Sequence, residues 1–216
     1  MNVNQLVEHV QNAIDRGEKE QSLLVQSLLY PTMPGLSSNK VRHFFNNLCN
    51  IPFWKHLEIG VSTGSTLISA GYLNALAYMV SIDDFSMKPE NKVELFSNLE
   101  KWNHALPRIY SIEYDCWGIN VKGLGKFNTY FYDAFHSQAA QRKGITEYWE
   151  CLEDLSVIVV DDYDVKRVNK GTMEGFERLG VENKIVKKWH LKGGNVKTRH
   201  KVWWGGLGVF VIDKGR

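Results

Sequence analysis

The sequence predicts an α/β fold built on a seven-stranded sheet: five parallel strands alternating with helices, a C-terminal antiparallel hairpin, and helices ahead of the first strand. Two observations carry this. From residue 53 onward, short apolar runs alternate with amphipathic helical segments, the pattern of successive β-α units whose parallel sheet is covered on both faces. The last two apolar runs, 184–191 and 202–213, are joined by a Gly/Lys/Asn/Thr-rich connection with no helix, so they pair antiparallel. A length of 216 residues suits one domain, and at 44% hydrophobic, 23% charged and a net charge of +2 the composition indicates neither disorder nor a nucleic-acid surface.

Taken in order, Leu6, Val10 and Ile14 share one helical face, and Leu23, Leu24, Leu28 and Leu29 follow a polar break. Pro31 and Pro34 interrupt helix. Ser38 is placed to cap a third helix carrying Val41, Phe44, Phe45 and Leu48. Residues 1–50 are therefore expected to be a helical lead-in, and 51–216 one compact catalytic domain. Its expected parallel strands are 54–59, 77–82, 108–113, 129–133 and 157–161, with helices over 65–75, 90–103, 138–153 and 166–179.

The segment His56-Leu57-Glu58-Ile59-Gly60-Val61-Ser62-Thr63-Gly64-Ser65-Thr66 reads as strand, tight glycine turn and helix start. Ser62 breaks the G-x-G-x-x-G pattern, and no Lys follows Gly64, so neither common phosphate loop is present. Glu58 would repel a pyrophosphate, whereas it suits a ligand with an ammonium and a sulfonium, such as S-adenosylmethionine. After the next strand come Asp83 and Asp84, where an acid can accept from both ribose hydroxyls.

Through HLEIGVSTGS, SIDDFS, YFYDAFHS and VIVVDDYD, in that order, the chain resembles the class I S-adenosylmethionine-dependent methyltransferases over about residues 35 to 213. Five parallel strands and a closing hairpin is their sheet plan, whereas a nucleotide dehydrogenase ends in another parallel unit. Within them it is most similar to small viral, phage and bacterial enzymes, where KVRHFFNNLC precedes the loop and a WW-G segment lies near the end. The resemblance implies a sugar hydroxyl, in a glycan, as acceptor. It also implies that Glu58, Gly60, Thr63, Gly64 and Ser65 line the methionine end, Asp83 the ribose, and Asp115 with Cys116 the adenine edge. Ser37, Ser38 and Lys40 would lie over the cofactor.

Asp133 and His136 follow the fourth strand, and Asp161, Asp162 and Asp164 follow the fifth. Clustered carboxylates repel unless a cation or proton sits among them. In one reading, Asp133, Asp161 and Asp162 hold a Mg²⁺ that lowers the pKa of the acceptor hydroxyl, which resembles metal-dependent sugar and catechol O-methyltransferases. In the other, Asp133 or His136 is a general base and no metal binds. Asp164 is expected to cap the following helix. Trp117, Trp149, Trp189, Trp203, Trp204 and Tyr163 are candidates for the acceptor pocket or the core, and the basic stretch 184–201 for a glycan-facing or solvated edge.

The amino terminus is polar and not signal-like, no run reaches the about 20 apolar residues of a membrane span, and three scattered cysteines suggest neither disulfides nor zinc. A cytoplasmic location, that of the host cell for a viral protein, is expected, with no membrane or nucleic-acid partner. The alternatives to a sugar O-methyltransferase are a catechol-like O-methyltransferase and a non-catalytic cofactor-binding subunit.

Overall fold

A computed structural model describes residues 1–27, 33–194 and 201–216. Residues 28–32, which include Leu28, Leu29 and Pro31, and 195–200 in the hairpin connection lie outside the described residues. The chain divides into two compact units, Glu8–Ile119 and a second formed by Met1–Val7 with Asn120–Arg216. Among the described residues no helix is long and apolar enough to cross a membrane.

Helix α1 (Val3–Glu18) buries Leu6, Val10, Ala13 and Ile14, the expected stripe. The next segment is only a 3-10 turn, Leu23–Gln26, capped by Ser22. Helix α2 (Asn39–Leu48) begins at its expected cap: the Ser38 side chain accepts from the Val41 N–H. In Glu8–Ile119, β1 (Lys55–Ile59), β2 (Tyr78–Asp83) and β3 (Arg108–Glu113) pair in parallel with β2 in the middle. Helix α3 (Ser65–Gly71) stops short of the expected residue 75 because Leu73 takes a positive φ of 57° and Asn74 Nδ2 donates to the Ala70 carbonyl at 2.7 Å. Helix α4 (Glu90–Trp102) packs inward through Leu95, Asn98 and Trp102.

In the second unit β4 (Phe127–Tyr132) pairs in parallel with β5 (Leu152–Val160), and helices α5 (Gln138–Tyr148) and α6 (Lys166–Leu179) follow them. The buried run Val157–Val160 is the expected core strand, but β5 starts at Leu152, earlier than sequence suggests. There burial falls from Leu152 to the exposed Asp154 and returns at Ser156, and Leu152 already pairs with Phe127. The hairpin is present: β7 (Leu207–Asp213) runs antiparallel to both β5 and β6 (Ile185–Leu191). Its second strand begins at Leu207 rather than 202, because Gly205 and Gly206 take positive φ of 49° and 84° and end the turn there. The strand order over the chain is β3-β2-β1-β4-β5-β7-β6, the seven-stranded plan that the sequence predicts.

Candidate functional site

The glycine loop connects β1 to α3. Gly60, Ser62 and Gly64 have φ of 88°, 50° and 87°, so three of its five residues are left-handed. At Gly64 a Cβ would lie 2.5 Å from Leu95 Cδ1, so only glycine fits against α4. The strained Ser62 is fixed from two sides: its N–H donates to Asp83 Oδ2 at 2.8 Å, and its hydroxyl accepts from Asn91 Nδ2 at 2.9 Å. Asp83 Oδ1 accepts from the Phe85 N–H at 2.8 Å. The acid after β2 thus holds the glycine loop as well as ending its own strand. Backbone strain kept by specific bonds is characteristic of ligand sites.

Other expected cofactor residues of this unit have these surroundings. Glu58 is fully buried; its Oε1 accepts from Thr66 Oγ1 at 2.5 Å, and its Oε2 lies 3.4 Å from His56 Nε2. Ser65 bonds Ser37 at 3.0 Å, and Ser37 also accepts from Arg42 Nε at 2.9 Å. Thr63 is buried, with its carbonyl held by Asn98. Ser38 caps α2, and the Lys40 ammonium pairs with Glu18. Asp115 is exposed and accepts from the Trp117 N–H, while Cys116 is buried.

The acids of the second unit converge. His136 Nδ1 lies 3.1 Å from Asp162 Oδ2 and Nε2 3.6 Å from Asp133 Oδ1. Nε2 is buried and, among the described residues, has no hydrogen-bond partner. One ligand atom each from Asp133, His136 and Asp161 lies within 4.8 Å of the others. Burial, and then the charges of Asp133 and Asp162, push the Asp161 carboxyl well above the usual carboxylate range, with His136 opposing them. A carboxyl raised in this way favours its protonated form, in which it can donate toward Asp133.

Asp162 is itself left-handed, with φ 52°. It lies against the hairpin turn: a Cβ on Gly205 would fall 1.9 Å from Asp162 Oδ1. The Tyr163 and Asp164 N–H groups donate to the Gly206 and Gly205 carbonyls at 3.0 and 3.1 Å. Asp164 does not cap α6, whose N-cap Val165 has no side-chain bond. Instead its Oδ1 pairs with His190 Nε2 at 2.6 Å and its Oδ2 accepts from the Gly193 N–H at 2.8 Å, tying the end of β6 to the acidic loop.

Of the aromatic candidates, Tyr163, Trp149 and Trp203 are buried; Tyr163 packs edge-on to His190 and Phe210. Phe135, beside His136, is half-exposed, 43% accessible. The residues sequence reasoning passes over are Ser62, Thr66, His190, Gly205 and Phe135. The Gly-Gly pair after Trp204 was a usable signal for Gly205; nothing in the sequence marks His190.

No family model matches the chain, and no curated protein matches it. Solved structures do. The O-methyltransferase TomG from Streptomyces achromogenes, in complex with SAM, is 17% identical with a TM-score of 0.60, over 95% of this chain and 90% of that one. The Bacillus cereus O-methyltransferase in complex with SAH is 16% identical, TM-score 0.57, over 91% and 90%. Precorrin-6y C5,15-methyltransferase from Geobacter metallireducens is 15% identical, TM-score 0.57, over 80% and 87%. At such identities the likeness shows the fold alone. That fold is the class I methyltransferase fold.

Proposed function

We propose that the chain is an S-adenosylmethionine-dependent O-methyltransferase acting on a hydroxyl of a sugar, within a glycan. One observation carries this reading: His136 has Nδ1 3.1 Å from Asp162 and Nε2 buried and, among the described residues, without a hydrogen-bond partner. With Asp162 Oδ2 3.1 Å from Nδ1, the tautomer that carries its hydrogen on Nδ1 is favoured, which leaves a lone pair at Nε2. That atom takes the proton of the acceptor hydroxyl as its oxygen attacks the methyl group. A C–O bond forms, the S–CH₃ bond breaks, and its electron pair stays on sulfur as a neutral thioether. The imidazolium so formed is stabilised by Asp162 and Asp133. A sugar hydroxyl does not ionise in neutral water and needs such a base; a catechol needs it less. A pure cofactor binder would need no base at all.

On the cofactor side, Gly60, Thr63, Gly64 and Ser65 would line the methionine end, with Glu58 beneath them. Asp83 keeps a second lone pair on each oxygen for the ribose hydroxyls, and Asp115 with Cys116 takes the adenine edge. Ser38 and Lys40 border the site through the start of α2. In this reading residues 1–50 are the lead-in and 51–216 the catalytic domain.

A divalent cation is the second reading, favoured by the grouping of Asp133, His136 and Asp161. The set of three carboxylates expected for Mg²⁺ is altered, since Asp162 is turned to His136. With an imidazole nitrogen in the set, Mn²⁺ or Zn²⁺ suits the residues better than Mg²⁺. When bound, such an ion would lower the pKa of the acceptor hydroxyl.

The test is methyl transfer from labelled S-adenosylmethionine to a panel of sugars and catechols, with and without EDTA. Transfer to a sugar that persists in EDTA supports the base mechanism; transfer lost in EDTA and restored by Mn²⁺ replaces it with the cation. Calorimetry that finds binding of NAD or ATP, and none of the methyl donor, would sink the functional reading.

A further inference from the structure

Asp164 is the acid of the DDYD run to which neither reading of the chemistry gives a role, and it does not cap the helix that follows it. Its bonds go elsewhere. Oδ1 lies 2.6 Å from His190 Nε2 and Oδ2 accepts from the Gly193 N–H at 2.8 Å, so the side chain grips the end of β6. The backbone grips the other limb of the hairpin, where the Tyr163 and Asp164 N–H groups donate to the Gly206 and Gly205 carbonyls. The fit is close. A Cβ on Gly193 would lie 2.7 Å from the Gly206 nitrogen and 3.0 Å from Asp164 Oδ2, and one on Gly206 would lie 2.6 Å from Asp164 Cγ. His190 is itself oriented by packing, edge-on to the buried Tyr163 ring at 5.0 Å.

The hairpin does not need this clasp to form. Its ladder runs from Ile185↔Ile212 to Leu191↔Leu207, and β7 is paired along β5 as well, whereas Gly193, Gly205 and Gly206 lie beyond the last pair. Helix α6 gains nothing from it either, since an acid serving that helix would accept from its first N–H groups.

What the clasp does fix is the loop after β5. Two residues before Asp164, Asp162 holds a left-handed backbone with φ 52°, and such a residue other than glycine persists only where its surroundings hold it. Its Oδ1 lies where a Gly205 Cβ would stand, and its Oδ2 is 3.1 Å from His136 Nδ1. A loop free to relax would turn that carboxylate off the imidazole. We propose that Asp164 and His190 are positioning residues: they lock the loop after β5 onto both limbs of the hairpin and so keep the Asp162 carboxylate on His136. The inference rests on the proposed reading of His136 as the base. Both residues act through Asp162 and neither meets the reacting atoms.

Two measurements on the whole chain in EDTA test this: kcat at saturating S-adenosylmethionine, and the tautomer of His136, read from long-range nitrogen–proton NMR spectra at a pH where the ring is neutral. His136→Gln assigns the signal. In the wild type the hydrogen should sit on Nδ1. Asp164→Asn, equal in size but an acceptor toward one partner only, should lower kcat about tenfold and mix the tautomers, with the dissociation constant of the cofactor unchanged. His190→Ala should do the same, and His190→Gln, whose amide still donates to Asp164, should restore most of the loss. In an Asp162→Asn background Asp164→Asn should subtract nothing further, because no carboxylate is left to aim. A folded Asp164→Asn or His190→Ala that melts earlier while kcat and tautomer stay as in the wild type overturns the proposal, since the clasp would then serve stability alone. Tautomers that mix as expected, while neither these variants nor His136→Gln changes kcat, uphold the clasp and fail the base reading instead. If the wild type transfers no methyl group, the base reading has failed and the tautomer still decides the clasp.

Discussion

Asp83 and Asp161 both stand at the ends of buried parallel strands, and their surroundings treat them oppositely. Each oxygen of Asp83 accepts a backbone N–H, from Ser62 and from Phe85, so its geometry is set before any ligand arrives. Asp161 faces Asp133 and Asp162 instead, and burial and their charges push its carboxyl well above the usual range. Around the glycine loop, fixed donors meet each acid and strain is locked in place, which suits binding. In the acidic loop carboxyls crowd one another and, among the described residues, His136 Nε2 has no hydrogen-bond partner, which suits proton transfer. In the proposed reading, the difference gives cofactor affinity to one region and turnover to the other.

The largest expected effect tests that division directly. His136→Gln should lower kcat about 10²- to 10⁴-fold, the usual contribution of a general base, while the dissociation constant of S-adenosylmethionine stays put. A matching loss of cofactor affinity would erase the distinction between the regions. Next in size, Asp83→Ala should weaken cofactor binding by about 1–3 kcal/mol with kcat at saturating cofactor little changed. Because Asp83 also holds Ser62, the variant should melt earlier than wild type; an unchanged affinity would leave Asp83 a purely structural clamp.

The two regions also differed in how far the sequence revealed them. The glycine loop is local: its glycines, the strand before it and the acid after β2 sit in one stretch, so Gly60, Gly64 and Asp83 were legible. The burial of Glu58 was not, because its partner Thr66 lies across the turn and only the folded loop brings them together. In the acidic region residue types were legible and roles were not. Asp162 reads as a metal ligand, yet its left-handed backbone and the Gly205 turn against it point its carboxylate at His136. That turn belongs to a segment whose Val-Trp-Trp run reads as strand. At the level of elements, β3 and α6 had their expected ends, α6 because Gly180 closes it with φ 64°.

The Gly205 turn gives a smaller and more specific test. Gly205→Ala places a Cβ where Asp162 Oδ1 now lies and forces a side chain at φ 49°. The strain is worth about 1–3 kcal/mol of stability. If Asp162 orients His136, kcat should also fall about tenfold, with cofactor affinity unchanged. Loss of stability alone, with kcat intact, would show that Asp162 can move without consequence and that Nε2 is aimed by other contacts.

The smallest effect isolates the acids from catalysis altogether. In the unfolded chain Asp161 ionises near about 3.9, whereas in the folded protein burial and the charges of Asp133 and Asp162 hold it well above that range. Between those two values the folded state binds the extra proton, so stability falls as pH rises through the interval. Below about pH 4 both states are protonated and no penalty exists. Asp161→Asn keeps a donor toward Asp133 and carries no charge, so in the presence of EDTA it should melt about 2–4 °C above wild type near neutral pH, what about 1 kcal/mol is worth in a chain of this size. The gain should shrink as pH falls toward 4, where the wild-type acid is neutral too. Scanning calorimetry from pH 4 to 8 reads both ends of this trend. A variant no more stable than wild type at pH 7.5 would mean that the three acids are already balanced by charge in the protein. The acidic region would then be as settled as the glycine loop, and the contrast between them would fall.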